Sequence, residues 1–203
     1  MAVIGITGGI GSGKSTFARM LAERLATEIF DADACARALL DEDEGVRAEI
    51  LREVSAGAYL PDGRADRPAI RSLVFSNPQT KARLEAILHP RVRACWLGLA
   101  AEARTRGEAL LIDMPLLFET NAQDFLDHVL TVGCSPETQL TRIRARGIAD
   151  AEAEKIIRSQ LPLEEKIGRS DGVVWNDGSL EILRLQAEEC GSRIAQKFPH
   201  RTP

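Results

Sequence analysis

The chain has 203 residues, of which 44% are hydrophobic and 28% charged, with a net charge of −4. That balance excludes a disordered or fibrous chain, and the acidic sign excludes a global basic field that would draw the protein to nucleic acid or anionic lipid. The longest nearly apolar run, Ala109 to Phe118, contains Asp113 and falls short of the about 20 residues that cross a bilayer.

Met1 leads directly into an apolar strand pattern with none of the marks of a signal peptide, so a cytoplasmic location is predicted. Cys35, Cys95, Cys134 and Cys190 have no metal-ligand spacing and are expected to be buried, reduced thiols. No nucleic-acid, membrane or obligate protein partner is predicted.

Val3 to Thr7 is predicted as a buried strand, followed by a glycine loop and a helix from Lys14 to about Leu25 with Phe17, Met20, Leu21 and Leu25 on one face. Glu28 to Asp31 is a second short strand. The helix after it carries Cys35, Leu39 and Leu40 towards the acidic patch Asp41 to Glu44, which is expected to be a solvated turn. From Val46 to Arg106 the signals are helical, punctuated by Pro61-Asp62-Gly63, Asn77-Pro78 and His89-Pro90, each suited to a turn or a helix start. Strand character returns at Ala109 to Ile112 and at His128 to Val132, in unbroken apolar or β-branched runs of the kind buried in parallel sheets.

Ser135-Pro136 opens an Arg-rich helix to about Arg146, and two helical pieces follow, Ala151 to Gln160 and Leu163 to Ser170. Gly172 to Trp175 is the last predicted strand, Asn176-Asp177-Gly178 a turn, and Ser179 to about Gln196 the closing helix. Strands separated by helices imply an α/β fold with a parallel sheet between helical layers.

Gly8-x-x-x-x-Gly13-Lys14-Ser15 has the spacing of a phosphate-binding P-loop, in the strand-to-helix context that the mechanism requires. Gly8, Gly9, Gly11, Ser12 and Gly13 let the backbone wrap a phosphate, and the helix dipole adds to the attraction. Lys14 reaches the terminal phosphates of ATP, and Ser15, followed by Thr16, is placed to ligate Mg²⁺. The guanine-reading Asn-Lys-x-Asp run is missing, which disfavours a GTPase switch.

A kinase also needs a carboxylate near the acceptor hydroxyl and arginines near the transferred group. Asp33, just past the second strand, is a general base or a helix N-cap. Asp113 is a member of the Mg²⁺ shell or a turn-forming residue before Pro115. Arg142 and Arg146, one helical turn apart, face nucleotide phosphates or solvent. His89, with Arg91 and Arg93, marks an anionic-substrate contact or a helix start. From the residues alone the acceptor is a small metabolite, and a nucleoside monophosphate or a sugar acid suits the core.

Several segments together resemble the dephospho-coenzyme A kinases over nearly the whole chain. They are Thr7 to Thr16; Asp31-Ala32-Asp33 with Ala36-Arg37; Asp62-Gly63 with Arg67; Val74-Phe75; Leu84-Glu85-x-x-Leu88-His89-Pro90; Pro115-Leu116-Leu117-Phe118-Glu119; Ser135 to Leu140 with Arg142; Arg158-x-Gln160; and Asn176. Ala26-Thr27-Glu28 departs from the Gly-Ala pair usual in the family before the second strand, and Val54-Ser55 from a common Phe-Gly pair.

The resemblance implies ATP and Mg²⁺ as cofactors, dephospho-coenzyme A as acceptor, and phosphorylation of its ribose 3′-hydroxyl. It implies a three-layer P-loop core in three pieces (1–34, 108–134 and 171–203), a helical acceptor domain (35–107) and a helical lid (135–170). It further implies Asp33 as general base, Lys14 and Arg142 as stabilisers of the transferring phosphoryl group, Arg146 as a nucleotide contact, and His89, Pro115, Leu116 and Leu117 as acceptor contacts.

Overall fold

The computed structural model describes residues 2–199; Met1 and residues 200–203, the two ends of the predicted core segments, lie outside the described residues. The chain divides into two compact units, one made of residues 1–31 and 99–203 and the other of residues 32–98.

The first unit is built on five parallel strands, β1 (Val3–Thr7), β2 (Glu28–Asp31), β3 (Leu110–Asp113), β4 (His128–Gly133) and β5 (Gly172–Trp175), in the spatial order β2-β3-β1-β4-β5. The first, second and fifth begin and end where the apolar runs predict. β1 is central and fully buried, with Ile4 in register with Leu111 on one side and His128 on the other.

Side chains alternate across the sheet, so the two faces separate by residue parity. Ile4, Ile6, Leu130 and Val132 join a core completed by Phe17, Ala18 and Leu21 of α1 (Lys14–Leu25) and by Leu183, Ala187 and Ile194 of the closing helix, Leu180–Lys197. On the other face a Cβ on Gly5 would lie 2.5 Å from Leu117 Cδ1 and from Leu126 Cδ1, so only glycine lets the segment after β3 pack there. Thr7 Oγ1 donates to the Pro115 carbonyl at 3.0 Å on that face, and Thr131 Oγ1 to the Lys166 carbonyl at 3.3 Å. The result is the predicted three-layer α/β arrangement.

The second unit is helical: α2 (Ala32–Glu42), α3 (Glu44–Glu53), α4 (Arg67–Ser76) and most of α5 (Pro78–Arg106). Val46, Ile50, Ala58, Ala65, Ile70, Ile87 and Leu88 form its core. Pro61-Asp62-Gly63 is a turn, closed by Leu60 N–H on the Arg64 carbonyl at 2.8 Å.

Two expectations fail here. His89-Pro90 starts no helix but lies inside the 29-residue α5. Pro90 is exposed, while Ile87 and Leu88 just before it and Val92 just after it are buried, and that burial offsets the lost backbone bond. The acidic patch is not a solvated turn either: Asp41 and Glu42 end α2, and Asp43 caps α3 by accepting from Val46 N at 2.9 Å. Asp41 also accepts from Arg67 at 2.5 Å and from Ala65 N at 3.3 Å.

The thiols are not uniformly buried. Cys134 is buried, Cys35 and Cys190 are half-buried, and Cys95 is exposed, because α5 turns that residue to solvent.

The remaining helices, all in the first unit, are α6 (Pro136–Ala145), α7 (Asp150–Arg158), α8 (Leu163–Gly168) and α9 (Leu180–Lys197). Ser135 caps α6 as its hydroxyl accepts from Thr138 N at 3.3 Å, with Pro136 at the first helical position.

At the end of α1, Ala26 holds φ 49° and ψ 50°, the left-handed cap conformation in which glycine is the usual residue. An alanine there costs about 1–2 kcal/mol, partly offset because glycine gains about 0.4–1 kcal/mol of unfolded-chain entropy. Ala26 is exposed and loses no packing on substitution. Ala26→Gly is therefore expected to stabilise the protein by about 0.5–1 kcal/mol, raising Tm by about 1–4 °C in a thermal melt. A lowered Tm contradicts this.

Candidate active site

Strand order reverses between β1 and β4, and in open parallel sheets ligands gather beyond the carboxyl ends of the strands at such a point. The glycine loop leaves β1 there. Gly13 holds φ 88°, and a Cβ on it would lie 2.2 Å from Asn176 Nδ2, so conformation and space both demand glycine. The loop then enters α1, whose first residue is Lys14.

The carbonyls of Ile10, Gly11 and Ser12 are held from elsewhere in the unit. Gln139 Nε2 donates to the Ile10 carbonyl at 2.7 Å, while Gln160 Oε1 accepts from Ile10 N at 3.3 Å. Arg142 donates to the carbonyls of Gly11 at 3.5 Å and Ser12 at 3.4 Å. Asn176 Nδ2, buried, donates to the Ser12 carbonyl at 2.8 Å, and Asn176 N–H to the Gly133 carbonyl at 2.8 Å. The Ser12 hydroxyl is buried and has no protein partner, so the loop still carries polar capacity for a ligand.

Lys14, 8% exposed, forms an ion pair with Asp113, 3% exposed, at the end of β3. Of the two roles open to Asp113 in the sequence, neither names this one: the carboxylate holds the loop lysine. Ser15 is exposed in the first turn of α1. Arg142 is half-buried, whereas Arg146 is exposed at the C-terminal cap of α6.

Pro115 and Leu116 are half-buried, and Leu117 is fully buried on Gly5. The Pro115 carbonyl also accepts from Lys166 Nζ at 2.6 Å. That ammonium is 1% exposed and donates to Glu119 Oε1 at 2.9 Å, an oxygen that accepts from Leu161 N at 2.8 Å as well. Burial pushes the Lys166 ammonium's pKa down, and the Glu119 carboxylate opposes the shift.

In the second unit, Asp33 is exposed within the first turn of α2 and so is not the helix N-cap. Its charge is favourable near the positive end of the helix. His89 is half-buried in α5, and burial pushes its pKa below the usual histidine value, with Glu85 opposing and Arg93 and Lys81 adding to the fall.

The family model for dephospho-CoA kinase matches residues 2–181. The chain belongs to the dephospho-CoA kinase family. It is 41% identical to a dephospho-CoA kinase of Anaeromyxobacter dehalogenans over 210 aligned positions, covering 100% of this chain and 99% of the relative. Among solved structures, a protein of Thermus thermophilus is 35% identical with a TM-score of 0.74, covering 96% of each chain. A dephospho-CoA kinase from Campylobacter jejuni is 27% identical with a TM-score of 0.72, covering 96% of this chain and 98% of that one.

Sequence reasoning assigned no role to Gln139, Gln160, Asn176 or Glu119, although all four lie in the segments that carry the family resemblance. Lys166 gave no signal, since a lone lysine in a short helix looks like a surface charge.

Removing one partner of a buried ion pair leaves the other uncompensated, which costs about 3–5 kcal/mol. Lys166→Met is expected to destabilise by about 3 kcal/mol. Adding Glu119→Gln, which keeps an acceptor for Leu161 N, is expected to recover about 1 kcal/mol or more. Urea unfolding of both variants checks this, and a double variant less stable than Lys166→Met contradicts it.

Proposed function

We propose that this chain transfers the γ-phosphoryl group of ATP to the ribose 3′-hydroxyl of dephospho-coenzyme A, giving coenzyme A and ADP in the last step of coenzyme A synthesis. The observation that carries the reading is the braced P-loop with Lys14 at its end, in a chain matched by the family model from residue 2 to residue 181.

On this reading the loop's backbone N–H groups and Lys14 hold the phosphates, and the carbonyl contacts of Gln139 and Asn176 keep the loop in shape. Arg142, already against the loop, stabilises charge on the transferring group; Arg146, on the same helix, is a further nucleotide contact. The acceptor oxygen bonds to the γ-phosphorus as the bond to the bridging oxygen of ADP breaks, and the hydroxyl proton passes to the Asp33 carboxylate. His89, Pro115 and Leu116 contact the acceptor; Leu117 supports them through its packing on Gly5.

The residues fit Mg²⁺. The Ser15 hydroxyl and the Asp113 carboxylate are hard oxygen donors, and among the described residues no group of three or more acidic, His or Cys side chains forms a cage. That suits an ion held by one or two side chains, water and phosphate. Ser15 and Asp113 would hold it, and it would neutralise phosphate charge. The protein works in the cytoplasm; among the described residues no helix is long and apolar enough to cross a membrane.

The test is ADP release measured with and without dephospho-coenzyme A, alongside other small acceptors. Release dependent on dephospho-coenzyme A is expected, and its absence overturns the reading. In the same assay Asp33→Asn is expected to lower kcat by about 10²–10⁴ with the KM for ATP little changed. A near-normal kcat removes Asp33 as general base.

A further inference from the structure

Two glutamines hold Ile10 by its backbone: its carbonyl accepts from Gln139 Nε2 at 2.7 Å, and its N–H donates to Gln160 Oε1 at 3.3 Å. The two bonds differ in what a ligand does to them. A phosphate has no use for a carbonyl, so the Gln139 bond persists whatever the loop holds. An N–H of a phosphate-binding loop is the group a phosphate oxygen takes, so Gln160 and a phosphate compete for one donor.

Gln160 is aimed at that donor by its neighbours. Its own N–H donates to the Ile157 carbonyl at 3.2 Å, and the next N–H, that of Leu161, to Glu119 Oε1 at 2.8 Å, an oxygen that also accepts from Lys166 Nζ at 2.9 Å. The backbone is pinned on both sides of the residue, while the half-buried side chain borders a cavity of about 80 Å³ that Gly9, Leu161 and Leu163 help to line. One water needs about 10–15 Å³ of such space. The amide therefore has room to swing aside and to bond to water there.

We propose that Gln160 is a specificity-determining residue that distinguishes a nucleoside triphosphate from a diphosphate in the loop. The proposal deepens the reading of the loop as the ATP site and rests on it. The inner phosphates lie at the helix end of the loop, where the first N–H groups of α1 and Lys14 converge. The terminal phosphate is left for the strand end, where Ile10 stands four positions before Lys14. A triphosphate takes the Ile10 N–H and displaces the Gln160 oxygen; a diphosphate leaves that bond in place. Once the terminal phosphoryl group has gone, the bond re-forms. The joint between α7 and α8, which carries Gln160, thus responds to the one phosphate that the reaction moves.

The experiment titrates Mg·ADP and the magnesium complex of the β,γ-imido analogue of ATP into the full unchanged chain, Gln160→Met and Gln160→Glu by calorimetry, and reads the ratio of the two affinities. A residue that only braces the loop changes both affinities together and leaves the ratio alone. Methionine keeps the length of the side chain and removes the competing acceptor, so Gln160→Met is expected to shift the ratio about two- to tenfold towards the triphosphate. Glutamate keeps an acceptor and sets a negative charge beside the terminal phosphate, so Gln160→Glu is expected to shift it about tenfold or more the other way. A ratio that Gln160→Met leaves unchanged or lowers, or that Gln160→Glu leaves unchanged or raises, overturns the proposal while the ATP site stands. Failure of the unchanged chain to bind either nucleotide overturns both.

Discussion

A loop that turns its N–H groups towards a phosphate turns its carbonyls the other way, and each carbonyl needs a partner. The architecture of the first unit depends on meeting that demand. The carbonyls of Ile10, Gly11 and Ser12 are held by Gln139 and Arg142 of α6 and by Asn176 after β5. The segments that follow β4 and β5 are thereby tied to the loop that follows β1, although nothing in the chain order makes them neighbours. The bonds are individually modest, roughly 1 kcal/mol each. Their effect is to fix the shape of a backbone that glycines leave free to wander.

The same economy of residues extends through the sheet. Gly5 has no side chain, so Leu117 packs on β1, and that packing brings the Pro115 carbonyl to Thr7 and to Lys166. Lys166 in turn fastens α8 to Glu119, which holds Leu161 N–H. A chain of contacts thus runs from the central strand to the far end of the predicted lid stretch. On the loop itself, Asp113 keeps Lys14 paired in a buried place where an isolated ammonium is costly.

How far the sequence reveals this depends on whether a feature is local. β1, α1 and β2 follow from unbroken apolar runs and a glycine loop, and their ends coincide with the predicted ones. Pro90 misleads because the rule that proline starts or breaks a helix is local, whereas the burial of Ile87, Leu88 and Val92 around it is not. The acidic patch looks like a turn until Asp43 is seen to cap α3 and Asp41 to meet Arg67 from across the unit. Asn176 and Gln139 are polar residues whose partners are more than a hundred positions away, so no window along the chain pairs them with the loop. Ala26 is the opposite case: the missing family glycine is visible in the sequence, and its left-handed backbone gives that departure a physical cost.

On the proposed reading the braced loop and Lys14 recognise phosphate rather than the rest of the nucleotide. Calorimetric titration of Mg·ATP and of adenosine into the unchanged chain and a folded Lys14→Met variant tests it most directly. A charge-assisted bond contributes about 1.5–3 kcal/mol, so the variant's affinity for Mg·ATP should fall by about ten- to a hundredfold while adenosine binding is unchanged. Equal affinity of both chains for Mg·ATP would contradict the account.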